Sequence, residues 1–246
     1  MSVVLEIEGR SFSAEELAPL LAEYQFLPKL AQELVLDLTI ANVVYKEEEK
    51  SAAFEQLCHQ YQLTDEEKMT AWLQRQGMTK EQLESLAVKL LKIEKFKEET
   101  WGNQVQSHFL KRKSQLDRVV YSLIRTNKAE LAQELYFRIQ EGESSFPALA
   151  MKYSEGAEAQ TGGLIGPVEV NSPHPRIAQV LATCQPGQLV PPTQVGEWIV
   201  IIRLENFISA KLDDPMKQRM LDELFRQWLA QETANKVSFF PNPVVI

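Results

Sequence analysis

The spacing of apolar positions divides the 246-residue chain into helical arms around a centre of strands and turns. Val3–Ile7, a turn at Glu8, Gly9 and Arg10, and Phe12 predict a small hairpin. Ser13 and Glu16 then make a capping box: the serine oxygen takes a free backbone N–H and the glutamate reaches back. A long helix is predicted across 27–49, with the charged run 46–50 as a solvated face at its end. Thr64 to Glu67 reads as a second capping box, and Gly77 closes the helix it opens. Thr79 starts a longer helix carrying Leu83, Leu86, Leu90, Leu91 and Ile93, which stops near Trp101 and Gly102. One more helix, roughly 103–114, holds Phe109 and Leu110.

From Asp117 the period changes. Val119, Tyr121 and Leu123 alternate with Val120, Ser122 and Ile124, the two-residue repeat of a strand. Leu131, Leu135 and Ile139 return to four-residue steps, and Gly142 stops them. Phe146, Leu149, Ala150 and Tyr153 form the stripe of a short helix with Pro147 in its first turn. Ile177, Val180 and Leu181 predict a third helix between prolines. The nearly continuous apolar run from Trp198 to Leu204 predicts a central strand.

Beyond 205, Met216, Met220, Leu224 and Trp228 run beside a second line, Leu221, Phe225 and Leu229. A helix this apolar must dock, and the N-terminal helices are its natural partner. The tail from Phe239 to Ile246 is irregular.

Composition sharpens the division. Seven of the ten glycines and seven of the twelve prolines lie within 117–205. The net charge of −8, with no basic run longer than Lys111, Arg112 and Lys113, disfavours nucleic acid or an anionic membrane as partner. No apolar run approaches the roughly 20 residues that span a bilayer, so no membrane insertion is expected. The opening residues are acidic where a secretory signal is basic, and a cytoplasmic location is expected. Cys58 and Cys184 make no disulfide framework, and His59, His108 and His174 lack ligand spacing; neither metal nor cofactor is expected.

One ordered series stands out. It runs Leu131, Ala132, Glu134, Leu135, Ile139, Gly142; Phe146, Leu149, Ala150, Tyr153, Ser154; Gly162, Gly163, Gly166; Pro175, Val180; Pro186, Gly187, Leu189; Thr193, Gln194, Gly196. This order and spacing resembles the parvulin, or rotamase, domain of peptidyl-prolyl cis-trans isomerases over about ninety residues. The flanks, sequence ends folding together around an inserted rotamase domain, resemble SurA- and PrsA-type foldases. The fold class so implied is α+β: a parvulin domain with a small antiparallel sheet and surrounding helices, inserted between segments of an α-helical chaperone-like domain. The expected division is 1–115 helical, 116–206 rotamase, and 207–246 a C-terminal helix packing on the N-terminal domain.

An X–Pro bond rotates over a barrier of about 18–20 kcal/mol, and an enzyme lowers it by holding the twisted imide in a dry pocket with polar groups placed for that state. No nucleophile or metal is needed. Carried onto this chain, the family's polar positions fall on Tyr121 (or Leu123, if the following loop aligns without a gap), on Gly156 and on Trp198. The positions of its proline-ring bowl become Pro173, Ile177 and Ala182, and Leu164 stands where an Asp is usual. Thr193 and Gln194 match directly. No catalytic residue is assigned; Tyr121, Leu164, Ile177, Ala182, Thr193 and Trp198 are the expected walls of an apolar peptide groove. The loop before Gly162 has no Arg/Lys pair, so selectivity for a phosphorylated Ser-Pro is not expected.

The resemblance implies a folding factor that binds extended or proline-containing polypeptide, with weak or no isomerase activity because the polar set is lost. An active peptidyl-prolyl isomerase, or a dedicated partner for the leader of one secreted or modified peptide, stays open beside it.

Overall fold

The computed structural model describes residues 3–239. The tail beyond Phe239 lies outside the described residues. The chain divides into two compact units, one formed by residues up to 105 together with those from 217 on, the other by 106–216.

In the first unit, strands β1 (Val3–Ile7) and β2 (Arg10–Ser13) form the expected hairpin, turned by Glu8 and Gly9 at positive φ. Ser13 caps helix α1 (Ala14–Glu23): its N–H donates to Glu16 Oε2 at 2.8 Å and its oxygen accepts from the Glu16 N–H. The single helix expected across 27–49 is instead two, α2 (Leu27–Ile40) and α3 (Glu47–Gln60). The physical reason lies in the charges. Three glutamates, Glu47 to Glu49, sit where a helix N-terminus favours negative charge, and the Lys46 N–H donates to Glu49 at 2.7 Å, so the run 46–50 starts a helix rather than ending one.

Helix α4 (Glu66–Gln76) is capped by Asp65, one residue later than expected, and closes at Gly77 in the left-handed conformation. Helix α5 (Lys80–Trp101) opens at Thr79 with a capping box to Gln82. Leu57 and Leu63 pack with Leu83 and Ala87 in a core shared by α3, α4 and α5. Lys89 of α5 bridges Glu33 and Asp37 of α2 at 2.8 and 2.7 Å.

Helix α10 (Asp214–Lys236) buries Met220, Leu221, Phe225 and Leu229. Its Phe225 and Trp228 join Phe96 and Trp101 of α5 in one aromatic cluster, with ring centroids 5.1 to 6.2 Å apart. Lys97, buried beside Phe225, reaches Asp222 at 2.7 Å and Glu94 at 2.6 Å. Burial alone would lower its pKa; the hydrogen bonds to both carboxylates outweigh that and hold it above the ordinary lysine value.

The second unit begins within α6 (Val105–Leu116), at Gln106, and contains β3 (Arg118–Thr126), α7 (Ala129–Gln140), α8 (Phe146–Tyr153), β4 (Leu164–Glu169), α9 (Pro175–Leu181), β5 (Leu189–Val195) and β6 (Trp198–Ile208). The strands make one antiparallel sheet in the order β4-β3-β6-β5, so the apolar run from Trp198 is central, as expected. Strands β4 and β5 were not anticipated. Both carry prolines, Pro167 in one and Pro191 and Pro192 in the other, and both are edge strands, where a missing N–H is tolerated.

Ile124 and Ile201 face α7 and α8, packing on Leu135, Phe146 and Leu149. Tyr121, Leu123, Val200, Ile202 and Leu204 face the other way, toward Ile177 and Leu181 of α9. The fold is thus α+β, a four-stranded antiparallel sheet domain flanked by helical N- and C-terminal regions. Among the described residues no helix is long and apolar enough to cross a membrane.

Candidate functional site

Alternation along β3 points Tyr121, Leu123 and Arg125 to the face covered by α9. On the neighbouring β6, Trp198 and Val200 share that face, paired across the sheet with Val195 and Thr193 of β5. Between this face and the start of α9 lies a pocket of about 290 Å³, lined by Leu123, Arg125, Ile177, Val195, Trp198 and Val200, with His174 and Glu197 at its margin.

Of the residues expected in the groove, Ile177 and Trp198 line this pocket. On β3 the lining residue is Leu123, the ungapped alternative, while Tyr121 is buried in the sheet core. Burial, with the Glu158 carboxylate adding to it and Arg125 opposing, pushes the Tyr121 hydroxyl above its ordinary pKa. Leu164 does not join the wall. It pairs with Ser122, so it stands on the opposite face from Tyr121 and is half exposed; its neighbour Ile165 takes the groove side. A one-residue step along a strand always reverses the face. Ala182 is the exposed C-cap of α9 and is outside the lining. Thr193 donates its hydroxyl to the Pro191 carbonyl at 2.9 Å, within its own strand, which occupies that donor.

The chemistry of the pocket rests on two residues that sequence reasoning missed. Arg125 makes a two-pronged ion pair with Glu158: Nε donates to Oε1 at 2.9 Å and Nη2 to Oε2 at 2.6 Å. The Glu158 side chain is only 3% exposed and also accepts from Ser154 Oγ at 2.7 Å. Burial works to raise its pKa, but the bonds from Arg125 and Ser154 outweigh it, and the carboxyl is held below the ordinary glutamate value. The guanidinium lies 5.9 Å from the Trp198 ring centroid, a cation–π contact. Glu158 takes two of the five guanidinium N–H groups.

Gly156 sits against this pair. Its φ of −117° is open to any residue, so the constraint is space: a side chain there would collide with the Arg125 guanidinium and the Glu158 carboxylate. The ion pair therefore fills the volume that a side chain at Gly156 would need. The signal for it in the sequence is faint, since the partners are 33 residues apart and a strand-end arginine normally reads as solvated. His174 is the N-cap of α9, its Nδ1 accepting from the Arg176 N–H at 3.3 Å. Its place one residue after Pro173 was the available clue.

A family model for the PPIC-type peptidyl-prolyl isomerase (rotamase) domain matches residues 120–206. The chain is 36% identical over 113 residues to the chaperone SurA of Pseudomonas fluorescens (strain Pf0-1), an alignment covering 42% of this chain and 26% of that protein. It thus spans about a quarter of the length of the curated relative it matches. Among solved structures it is similar to the peptidylprolyl isomerase PrsA of Bacillus anthracis (18% identity, TM-score 0.48, 87% of this chain and 100% of that one). It is also similar to the parvulin domain of PpiD from E. coli (26% identity, TM-score 0.35, 41% of this chain and 97% of that one). Residues 120–206, the sheet with its Trp198 pocket, belong to the PPIC-type family of parvulin rotamase domains.

Proposed function

We propose that this chain is a parvulin-type folding factor whose rotamase domain binds an extended, proline-containing polypeptide at the Trp198 pocket, with weak or no isomerase activity. The observation that carries this reading is the Arg125–Glu158 pair packed against Gly156: the family's polar positions hold a glycine, an aromatic ring and a buried tyrosine, and an ion pair takes up the space. The remaining wall is apolar and accepts a proline or leucine side chain. A polypeptide client fits with the similarity to a protein named as a chaperone.

Removing one preorganised polar group from such a site costs roughly 10²–10³ in rate. The expected result on short Pro peptides is therefore a rate far below that of ordinary parvulins, set beside clear suppression of aggregation of an unfolded protein. A normal isomerase rate, abolished by changes at Leu123 or Trp198, would overturn the reading. One observation favours that active alternative: His174 and Arg125, two side chains able to donate hydrogen bonds, are among the residues that line the pocket.

Trp198→Ala tests the site itself. The ring is half buried, so its loss is expected to cost stability only about 1 kcal/mol. Peptide affinity should fall by about 2 kcal/mol, roughly 30-fold, since an aromatic face over proline adds to plain burial. Isothermal titration beside a thermal melt separates the two; unchanged affinity with a large drop in Tm would make Trp198 structural.

The division into a helical piece, 1–115 with 207–246, and a rotamase piece, 116–206, is proposed to be functional as well: the first would hold a client and the second engage its prolines. For location we propose the cytoplasm. Cys58 and Cys184 are both free, half-buried thiols whose pKa values burial raises, and cell fractionation tests the assignment.

A further inference from the structure

Strands β5 and β6 are joined by a tight hairpin turn, Gly196 and Glu197, with Val195 and Trp198 paired on either side of it. Gly196 has a φ of +62°, the sign such a turn needs and one that a side chain resists. Gln194, which matches the family's motif directly, pins the turn: its Nε2 donates to the Gly196 carbonyl at 2.8 Å. The turn sets Glu197 at the margin of the Trp198 pocket, next in the chain to the ring that forms part of the wall.

Of the residues lining that pocket, Arg125, His174 and Glu197 can carry charge. The charge of Arg125 is matched by Glu158, which holds it at two points. His174 accepts the Arg176 N–H at its Nδ1, a role open only to the neutral ring. Arg176 itself lies outside the lining. Glu197 differs from these. Its side chain is exposed, and among the described residues none hydrogen-bonds or ion-pairs with it. A peptide entering the pocket therefore meets apolar walls, a neutralised ion pair and one uncompensated negative charge.

We infer that Glu197 makes the pocket select a polypeptide with a lysine or arginine beside the proline or leucine it holds, and reject one with an acidic residue there. The inference rests on the Trp198 pocket being the peptide site. The carboxylate stays solvated in the free protein, so it costs the fold nothing. A client cation beside it gains what an exposed ion pair gains, and an acidic neighbour meets repulsion of similar size. The net charge of −8 acts in the same direction at longer range.

The test measures binding of the full chain to short blocked peptides by fluorescence anisotropy. The peptides differ only in one residue, lysine, alanine or glutamate, placed before the proline in one set and after it in the other. In at least one set the lysine peptide should bind about five- to tenfold tighter than the glutamate peptide, with alanine between, and about 0.5 M salt should shrink the ratio. Glu197→Gln should bring the ratio to about one, and Glu197→Lys should invert it. A wild-type ratio near one in both sets, or a ratio that survives Glu197→Gln, overturns the inference. If Trp198→Ala still weakens every peptide in that case, the pocket remains the peptide site without charge selection. If no peptide binds, or none responds to Trp198→Ala, the pocket reading falls and the inference with it.

Discussion

Arg125→Leu is expected to destabilise the rotamase domain by about 2–3 kcal/mol at neutral pH, an effect unusual for a residue a third exposed. The cost lies in what is left behind. Glu158 would remain 3% exposed with Ser154 as its only side-chain donor, a buried carboxylate without its counter-charge. The figure sits below the full range for broken buried pairs because the guanidinium side is partly solvated.

The sign of the pH dependence follows from Glu158. Its folded pKa is depressed, so in the wild type it contributes stability above the unfolded value of about 4.3, and this is lost as pH falls through the folded pKa. In the variant, burial dominates and the pKa moves upward, so protonation relieves the penalty. The gap between the two proteins should therefore be widest near neutrality and close in acid. Chemical denaturation at neutral pH and near pH 4 measures it; an equal gap at both would mean that Arg125 acts through packing alone. Arg125→Met/Glu158→Met should recover much of the loss, since replacing both partners leaves no orphaned charge. Gly156→Asp should resemble the single variant, because the new side chain displaces the same pair.

That pair shows where the sequence stops being legible. Period and caps reveal an element when its residues are neighbours in the chain: Ser13 with Glu16, Thr79 with Gln82, and the apolar runs of β3 and β6 could all be read directly. Strands β4 and β5 could not, because Pro167, Pro191 and Pro192 break the alternation that marks a strand, and only their place at the sheet edges excuses them. The break between α2 and α3 was hidden for a related reason. Residues 41–46 hold no Gly or Pro, and the charged run beyond them fits a helix end as easily as a start.

In the pocket, Ile177 and Trp198, placed by the family's order of motifs, are lining residues, whereas Leu164 stands on the other face of its strand, a matter of register that a single sequence does not carry. Arg125 and Glu158 left only a faint signal, being 33 residues apart. Their meeting depends on the Arg125 carbonyl receiving the Glu155 N–H at 2.9 Å, which draws the loop after α8 against β3.

Ending the chain at Ala210 is expected to leave the N-terminal helices without a cooperative fold. Helix α10 supplies Met220, Leu221, Phe225 and Leu229 to the first unit, all buried, and each such side chain contributes roughly 1.5–3 kcal/mol. Together they amount to about 6–12 kcal/mol, as large as the whole stability of a typical domain. The loss is not confined to contact area. Phe96 and Trp101 would face water where Phe225 and Trp228 now cover them, and Lys97 would keep Glu94 but lose Asp222. Because the folded pKa of Lys97 is raised, its ion pairs contribute fully below the unfolded value near 10.4 and fade only as pH rises through the folded one, so neutral buffer does not rescue the truncated chain. Residues 106–210 keep their sheet and both of its cores, so the rotamase domain should still melt as a unit. Calorimetry and dye binding decide the matter: one cooperative transition from the sheet domain, with dye bound by the helical remainder, is the expected result. A truncated chain whose helical part melts as sharply as in the intact protein would mean that α3, α4 and α5 sustain their own core, and that α10 covers it without holding it together.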